Sequence, residues 1–262
     1  MITTGRTALV TGASSGIGRE FAQSLARSGV DLILVARSGE ALASIAAELS
    51  ARHGIRTEVV VADLAREHSP EAVMERIREL GMTVDVLVNN AGFATQGRFA
   101  DLPAGLDHRQ VMVNVVAVLD LARAVLPGMI ERRCGAVVNV ASIGAFQPAP
   151  RLAVYAASKA FVLSFSTALT AELRGTGVRV LALCPGPVHT NFFEALGSRD
   201  AAIGQVLPVG RVVEAELAGL RTGRVMVVPG WRNRMQVGLV RLLPRRVVLA
   251  VATHATRRGV SG

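Results

Sequence analysis

Several residue types are almost missing. The 262-residue chain has two cysteines, one tyrosine, one tryptophan and one lysine, and aromatic side chains make up only 4% of it. Cys134 and Cys184 follow no metal-ligand or disulfide-framework spacing, which excludes a stapled fold and a cysteine metal centre, and no metal site is expected. No charged and apolar leader opens the chain, so the expected setting is reducing and cytoplasmic. The shortage of aromatics argues against a stacking platform for single-stranded nucleic acid. Charged residues are also few, at 19% against 50% hydrophobic, a balance that excludes disorder and predicts a well-filled aliphatic core. Both cysteines lie beside apolar strand-like runs and are read as packing residues.

The basic excess is abundant but uneven. Net charge is +9, yet residues 1–210 carry 19 basic against 18 acidic side chains, while residues 211–262 carry ten Arg against Glu214 and Glu216. Such a tail can meet anionic lipid or an acidic partner. Its apolar stretch, MQVGLVRLLPRRVVLAVATH, is interrupted by Arg241, Pro244, Arg245 and Arg246. The uncharged runs fall short of the roughly 18 residues that suggest a bilayer crossing, which leaves peripheral contact with a membrane surface, packing on the body and a subunit contact as the open readings.

Strand-like and helix-like segments alternate along residues 1–230, the pattern of repeated βαβ units and a parallel sheet covered on both faces. The predicted fold is α/β, a Rossmann-type doubly wound sheet of about seven strands in one domain, with residues 231–262 as a C-terminal extension. Ser69 is the expected cap of a helix opened by Pro70, and a long apolar helix is predicted over about 104–130.

Between the first strand and helix stands TGASSGIG, with Gly12, Gly16 and Gly18 and the hydroxyls of Ser14 and Ser15. Glycines there permit a tight turn and close approach of a pyrophosphate to a helix N-terminus, whose free N–H groups and dipole favour negative charge. The second strand ends Ala36-Arg37-Ser38, with no carboxylate to bond a ribose hydroxyl pair. Arg37 can instead pair with a 2′-phosphate, so NADP(H) is expected over NAD(H).

The lone tyrosine and lone lysine stand four residues apart, as Tyr155 and Lys159 in VYAASKAFVL. On a helix that spacing brings both tips to one face. A phenol with an ordinary pKa near 10 is a poor proton shuttle at neutral pH, and a nearby ammonium is expected to lower it by about one to three units.

Taken in order, TGASSGIG, Asp63 in ADL, NNAG at 89–92, Asn114, Ser142, YAASK at 155–159 and PGPVHT at 185–190 give the chain a clear resemblance to the short-chain dehydrogenase/reductase family over about residues 5–230. The resemblance implies an oxidoreductase in which hydride passes between a nicotinamide and a carbonyl or alcohol carbon. Tyr155 would be the acid/base poised by Lys159, Ser142 would orient the carbonyl oxygen, and Asn114 would hold a water that relays protons from Lys159. It also implies cofactor contacts from Gly12, Ser14, Ser15, Gly16, Ile17, Gly18 and Arg37, and from Asp63 and Leu64 at the adenine. Asn90, Ala91 and Gly92 would lie at the ribose, joined there by Tyr155 and Lys159, and Pro185, Gly186, Val188 and Thr190 at the nicotinamide side. Asn89 is read as a brace between strands.

Family membership names no substrate. Phe93, Ile143, Phe146, Phe192 and Phe193, with Ser142 and Tyr155, are the expected lining, together with Leu196. Their apolar character predicts a hydrophobic ketone or secondary alcohol in preference to a free sugar. A 3-oxoacyl-thioester reductase, and a non-catalytic NADP-binding regulator, are the alternatives. The expected assembly is a homodimer or homotetramer without nucleic acid.

Overall fold

The computed structural model describes residues 4–189 and 204–258. Seven parallel strands form one sheet in the order β3-β2-β1-β4-β5-β6-β7. They are β1 (Thr7–Thr11), β2 (Asp31–Ala36), β3 (Thr57–Val61), β4 (Val86–Asn89), β5 (Gly135–Val140), β6 (Val178–Leu183) and β7 (Met226–Val227). The chain winds outward from β1 to β3 and then returns to place β4 on the other side of β1, so the winding reverses between these two strands. Ligands of open α/β sheets bind in the crevice such a reversal opens at the carboxyl ends of the strands.

Both sheet faces are covered, so the strands read as continuous apolar runs. Ala8 and Val10 of β1 face one core with Phe21, Leu25 and Leu42, while Leu9 faces the other with Ile77, Leu121 and Met129. The first face carries α1 (Gly16–Ala26), α2 (Gly39–His53) and α7 (Val209–Arg221). The second carries α3 (Ser69–Glu79), α5 (Ala117–Glu131) and α6 (Ala153–Glu172). Truncating a fully buried side chain of this kind, such as Leu87→Ala, is expected to cost about 2–5 kcal/mol.

Helix ends follow the sequence in most places. Gly54 closes α2 in the left-handed conformation, φ 65°, and Ser38 caps its start by accepting from the Ala41 N–H at 3.4 Å. The expected Ser69 cap is displaced by one residue. His68, at φ 57°, occupies the cap position without a side-chain bond, and Ser69 is already helical, because the chain enters α3 through a left-handed turn.

The long helix is α4 (Leu106–Val111) joined to α5 by a π turn, Met112–Val116, in which the Ala117 N–H reaches back to the Met112 carbonyl. This wider turn carries Asn114, consistent with the tendency of π turns to mark functional positions. Two helical stretches, Leu106–Glu131 and Ala153–Glu172, are long and apolar enough to cross a membrane by length and composition. Here they flank the sheet and supply its cover.

The basic tail also folds onto the body. It forms α8 (Trp231–Leu242) and α9 (Arg245–Arg258), separated where Pro244 ends the first helix. Asn233, Val237, Val248 and Ala252 are the buried positions by which these helices attach.

Candidate active site

The motifs of the sequence converge on the carboxyl ends of β1, β4, β5 and β6. At β1, the turn Gly12–Ser15 leads into α1, whose cap residue Ser15 makes no side-chain cap bond. First-turn N–H groups of a helix have no partners within it, which leaves this N-terminus suited to an anion. A Cβ at Gly18 would stand 2.3 Å from the Gly12 carbonyl oxygen and 2.4 Å from Asn90 Nδ2, so only glycine lets turn, helix and β4 loop meet. Ile17 packs against the adjacent core.

Thr11, buried at the end of β1, ties this crevice together. Its hydroxyl donates to the Val88 carbonyl at 3.3 Å and accepts from the N–H groups of Asn90 and Ala91, both at 3.0 Å. Asn90 Nδ2 in turn donates to the Thr11 carbonyl at 2.9 Å. Asn89 performs the bracing expected of it, donating to Asn139 Oδ1 at 2.9 Å and to the Val118 carbonyl at 3.2 Å.

Tyr155 and Lys159 lie on the first turns of α6 and share one side of it, with Lys159 Nζ 5.8 Å from the tyrosine ring centroid. Lys159 is buried, 5% exposed, and Nζ donates to the Val140 carbonyl at 2.7 Å. Burial pulls its pKa down to about 8, with Cys184 a smaller opposing influence. Burial also raises the Tyr155 pKa, while a hydrogen bond with Ser142 acts in the lowering direction. Here the phenol therefore lies above its ordinary range, where the sequence reading has the ammonium drawing it below. The desolvated phenolate is disfavoured more strongly than its neighbours favour it.

Ser142 stands at the end of β5, where its hydroxyl accepts from the Gly144 N–H at 3.0 Å and bonds Tyr155. The short 3-10 turn Ile143–Phe146 that follows is anchored by Ile143 N–H to the Pro185 carbonyl at 3.0 Å. Asn114 is fully buried. Its Oδ1 accepts from Phe93 N–H at 3.1 Å, and its Nδ2 donates to the Phe93 carbonyl at 2.9 Å and to Ser158 Oγ at 3.1 Å. Ser158 donates to the Tyr155 carbonyl at 2.7 Å. The side chain of Asn114 thus clamps the loop after β4 to α6. Gly92 lies beside both: a Cβ there would be 3.1 Å from Asn114 Oδ1 and 3.4 Å from Lys159 Nζ.

Other expected contacts are placed less directly. Arg37 is exposed at the mouth of β2, without a hydrogen bond or ion pair among the described residues. Asp63 accepts from Ala65 N–H at 3.1 Å and pairs with Arg109 at 3.2 Å. Leu64 is buried in the core, which leaves its backbone as the part that can face an adenine. Val188 is buried and bridges to Leu207 as its strand neighbour. Phe93, Ile143 and Phe146 are half-buried, and Arg241 of α8 lies over the Phe146 ring at 5.1 Å. Thr190, Phe192, Phe193 and Leu196 lie outside the described residues. Cys184 is buried with its pKa pushed up to about 12 by desolvation, and Cys134 is half-buried.

Asn233 is the site residue that motif reading misses. Fully buried on α8, it accepts from Gln205 N–H at 2.7 Å and donates to the carbonyls of Gln205 at 3.2 Å and Pro229 at 2.9 Å. It abuts the turn after β6 so closely that a Cβ on Gly186 would lie 2.5 Å from its Nδ2. A polar residue inside an otherwise amphipathic tail was the available signal. A separate groove of about 630 Å³ runs between α3 and α5, past Met74, Asp120 and Arg123, and contains none of the motif residues.

The family model "short chain dehydrogenase" matches residues 6–201. The chain is 39% identical over 193 residues to a very-long-chain 3-oxoacyl-CoA reductase of Anas platyrhynchos, an alignment covering 71% of this chain and 61% of that one. It thus spans about three fifths of that relative's length. A short-chain dehydrogenase of Sphingobium yanoikuyae, solved in complex with NADPH, superimposes with a TM-score of 0.81 at 37% identity, covering 86% of this chain and 88% of that one. A bulky-bulky ketone specific alcohol dehydrogenase of Comamonas testosteroni gives 0.78 at 31% identity, covering 93% and 96%. With its parallel sheet, glycine turn and Ser142–Tyr155–Lys159 arrangement, the chain belongs to the short-chain dehydrogenase/reductase family.

Proposed function

We propose that this enzyme reduces hydrophobic ketones with NADPH. The observation that carries the reading is the paired state of the site: a half-buried Tyr155 hydrogen-bonded with Ser142, its pKa raised by desolvation, and an exposed Arg37 at the end of β2 without an ion pair among the described residues. The residues present fit a dinucleotide. The α1 N-terminus suits the pyrophosphate, Gly92 leaves space beside Lys159 for a ribose, and Arg37 suits a 2′-phosphate. The NADPH named in the Sphingobium complex supports the same preference.

When bound, the nicotinamide supplies the hydride. The chain's own residues do the rest. Ser142, held by the Gly144 N–H, aligns the carbonyl oxygen, and Tyr155 delivers the proton to that oxygen as negative charge develops there. A raised phenol pKa keeps the proton available at neutral pH, which suits reduction better than alcohol oxidation. Lys159, held on the Val140 carbonyl, stabilises the phenolate left behind, and a water at Asn114 would restore the proton through it.

Phe93, Ile143 and Phe146 support an apolar substrate, as does the bulky ketone named for the Comamonas neighbour. A 3-oxoacyl thioester is the second reading, supported by the 39% identity to a very-long-chain 3-oxoacyl-CoA reductase. NADPH oxidation against bulky ketones, 3-oxoacyl thioesters and aldoses tests both. Faster turnover of aldoses would overturn the apolar substrate, and equal Michaelis constants for NADPH and NADH would overturn the cofactor preference.

A further inference from the structure

The site uses only the inner face of α8. Its outer face is apolar and open: Trp231, Met235, Leu239 and Leu242 are 56%, 64%, 58% and 84% exposed. Spaced at i, i+4, i+8 and i+11, they fall within about a quarter of the helix circumference at 3.6 residues per turn. The buried Asn233 and Val237 occupy the opposite side. An apolar ridge left this open among the described residues marks an interaction surface.

Charge along α8 and at the start of α9 is of a single sign. Arg232 and Arg234 flank it on α8, and Arg245 and Arg246 are exposed just beyond its end, at the start of α9. After Glu216 the chain contains nine Arg and no Asp or Glu. Arg232 lies over the Trp231 ring at 5.3 Å, so the aromatic and the cation share one end of the ridge. Exposed Val247 and Val251 extend the apolar surface onto α9. At twelve residues α8 is about 18 Å long and too short to cross a bilayer, whereas a helix with an apolar ridge, a tryptophan and arginine flanks is built to lie within its interface.

We propose that α8 docks the enzyme on an anionic lipid surface, with Trp231, Met235, Leu239 and Leu242 among the upper acyl chains and the flanking arginines on headgroup phosphates. A second protein copy would need acidic groups opposite these arginines, and the ridge has none of its own to offer in a symmetric pairing. The same helix abuts the turn at Gly186 and the Phe146 ring, so docking brings the substrate side of the site toward the bilayer. The lipid contact itself rests on the surface alone and stands apart from the substrate reading.

Trp231 is the only tryptophan, which makes it a built-in reporter. Full-length protein should float with vesicles of phosphatidylcholine containing phosphatidylglycerol, and not with phosphatidylcholine alone. Its emission should shift to the blue and be quenched by brominated acyl chains. Arg232→Gln with Arg234→Gln should weaken binding about fivefold per arginine, and Leu239→Gln with Leu242→Gln should abolish quenching while NADPH binding persists. Absence of flotation overturns the proposal. So does flotation without Trp231 quenching, or a concentration-dependent dimer that Leu239→Glu returns to monomer.

Discussion

The two ends of the sheet's carboxyl edge are built on opposite plans. Around β4, β5 and α6 the polar groups are buried or half-buried and already bonded to protein: Asn114 to Phe93 and Ser158, Lys159 to Val140, Ser142 to Gly144 and Tyr155. At the glycine turn that follows β1 and just beyond β2 two are open, Ser15 making no cap bond and Arg37 exposed. A proton donor must hold one geometry before substrate arrives, and rigid neighbours supply that positioning. A phosphate-binding group gains from staying solvated until the ligand brings the partner charge. Substitutions at the first end should therefore lower turnover, and those at the second should alter affinity.

Tyr155→Phe is the largest test of that division. Removing the hydroxyl leaves the ring's packing and should reduce ketone turnover about 10³-fold, with NADPH affinity, read by fluorescence titration, almost unchanged. Unchanged turnover would remove Tyr155 from the chemistry. Arg37→Ala should do the converse, raising the Michaelis constant for NADPH roughly tenfold to a hundredfold through loss of a charge-assisted bond, while NADH kinetics and saturated turnover stay level. A fall in turnover at saturation would break the comparison at its binding end.

How much of this was legible in the sequence follows the same division. The sheet, its order of elements and the candidate catalytic residues are carried by local patterns: buried runs, the glycine turn, the Tyr155–Lys159 spacing. What escaped depends on contacts between distant segments. Thr11 reads as an ordinary strand residue until β4 is laid beside β1 and its hydroxyl collects two N–H groups. The raised Tyr155 pKa was missed because spacing shows the ammonium but not the burial that outweighs it. The tail's place stays open in the sequence, since nothing local reveals that Asn233 lies against Gly186 across the fold.

Asn233→Ala sharpens this last point with a smaller effect. It leaves the Gln205 N–H and two carbonyls without their partner, at about 1–3 kcal/mol. The melting temperature should fall, and the Michaelis constant for ketone should rise more than turnover drops, because the turn after β6 loses its support while Tyr155 and Ser142 remain in place. Loss of stability with unaltered kinetics would make Asn233 a purely structural residue.

The mildest probe is pH, and its sign separates chemistry from folding. Lys159 titrates at about 8 in the folded chain against an ordinary 10.5, because burial penalises the ammonium. Between those values the unfolded chain binds the proton more tightly, so this group makes folding more favourable as pH rises from about 8 toward 10.5. Catalysis should move the other way, since the charged lysine stabilises the phenolate, and ketone reduction should decline as pH passes through about 8. Tyr155, with its pKa raised by burial, stays protonated over the start of that window and does not cause the decline. Rates and melting temperatures measured together from pH 6 to 9.5 should therefore diverge above about 8, and a parallel fall of both would assign the loss to unfolding instead of to Lys159.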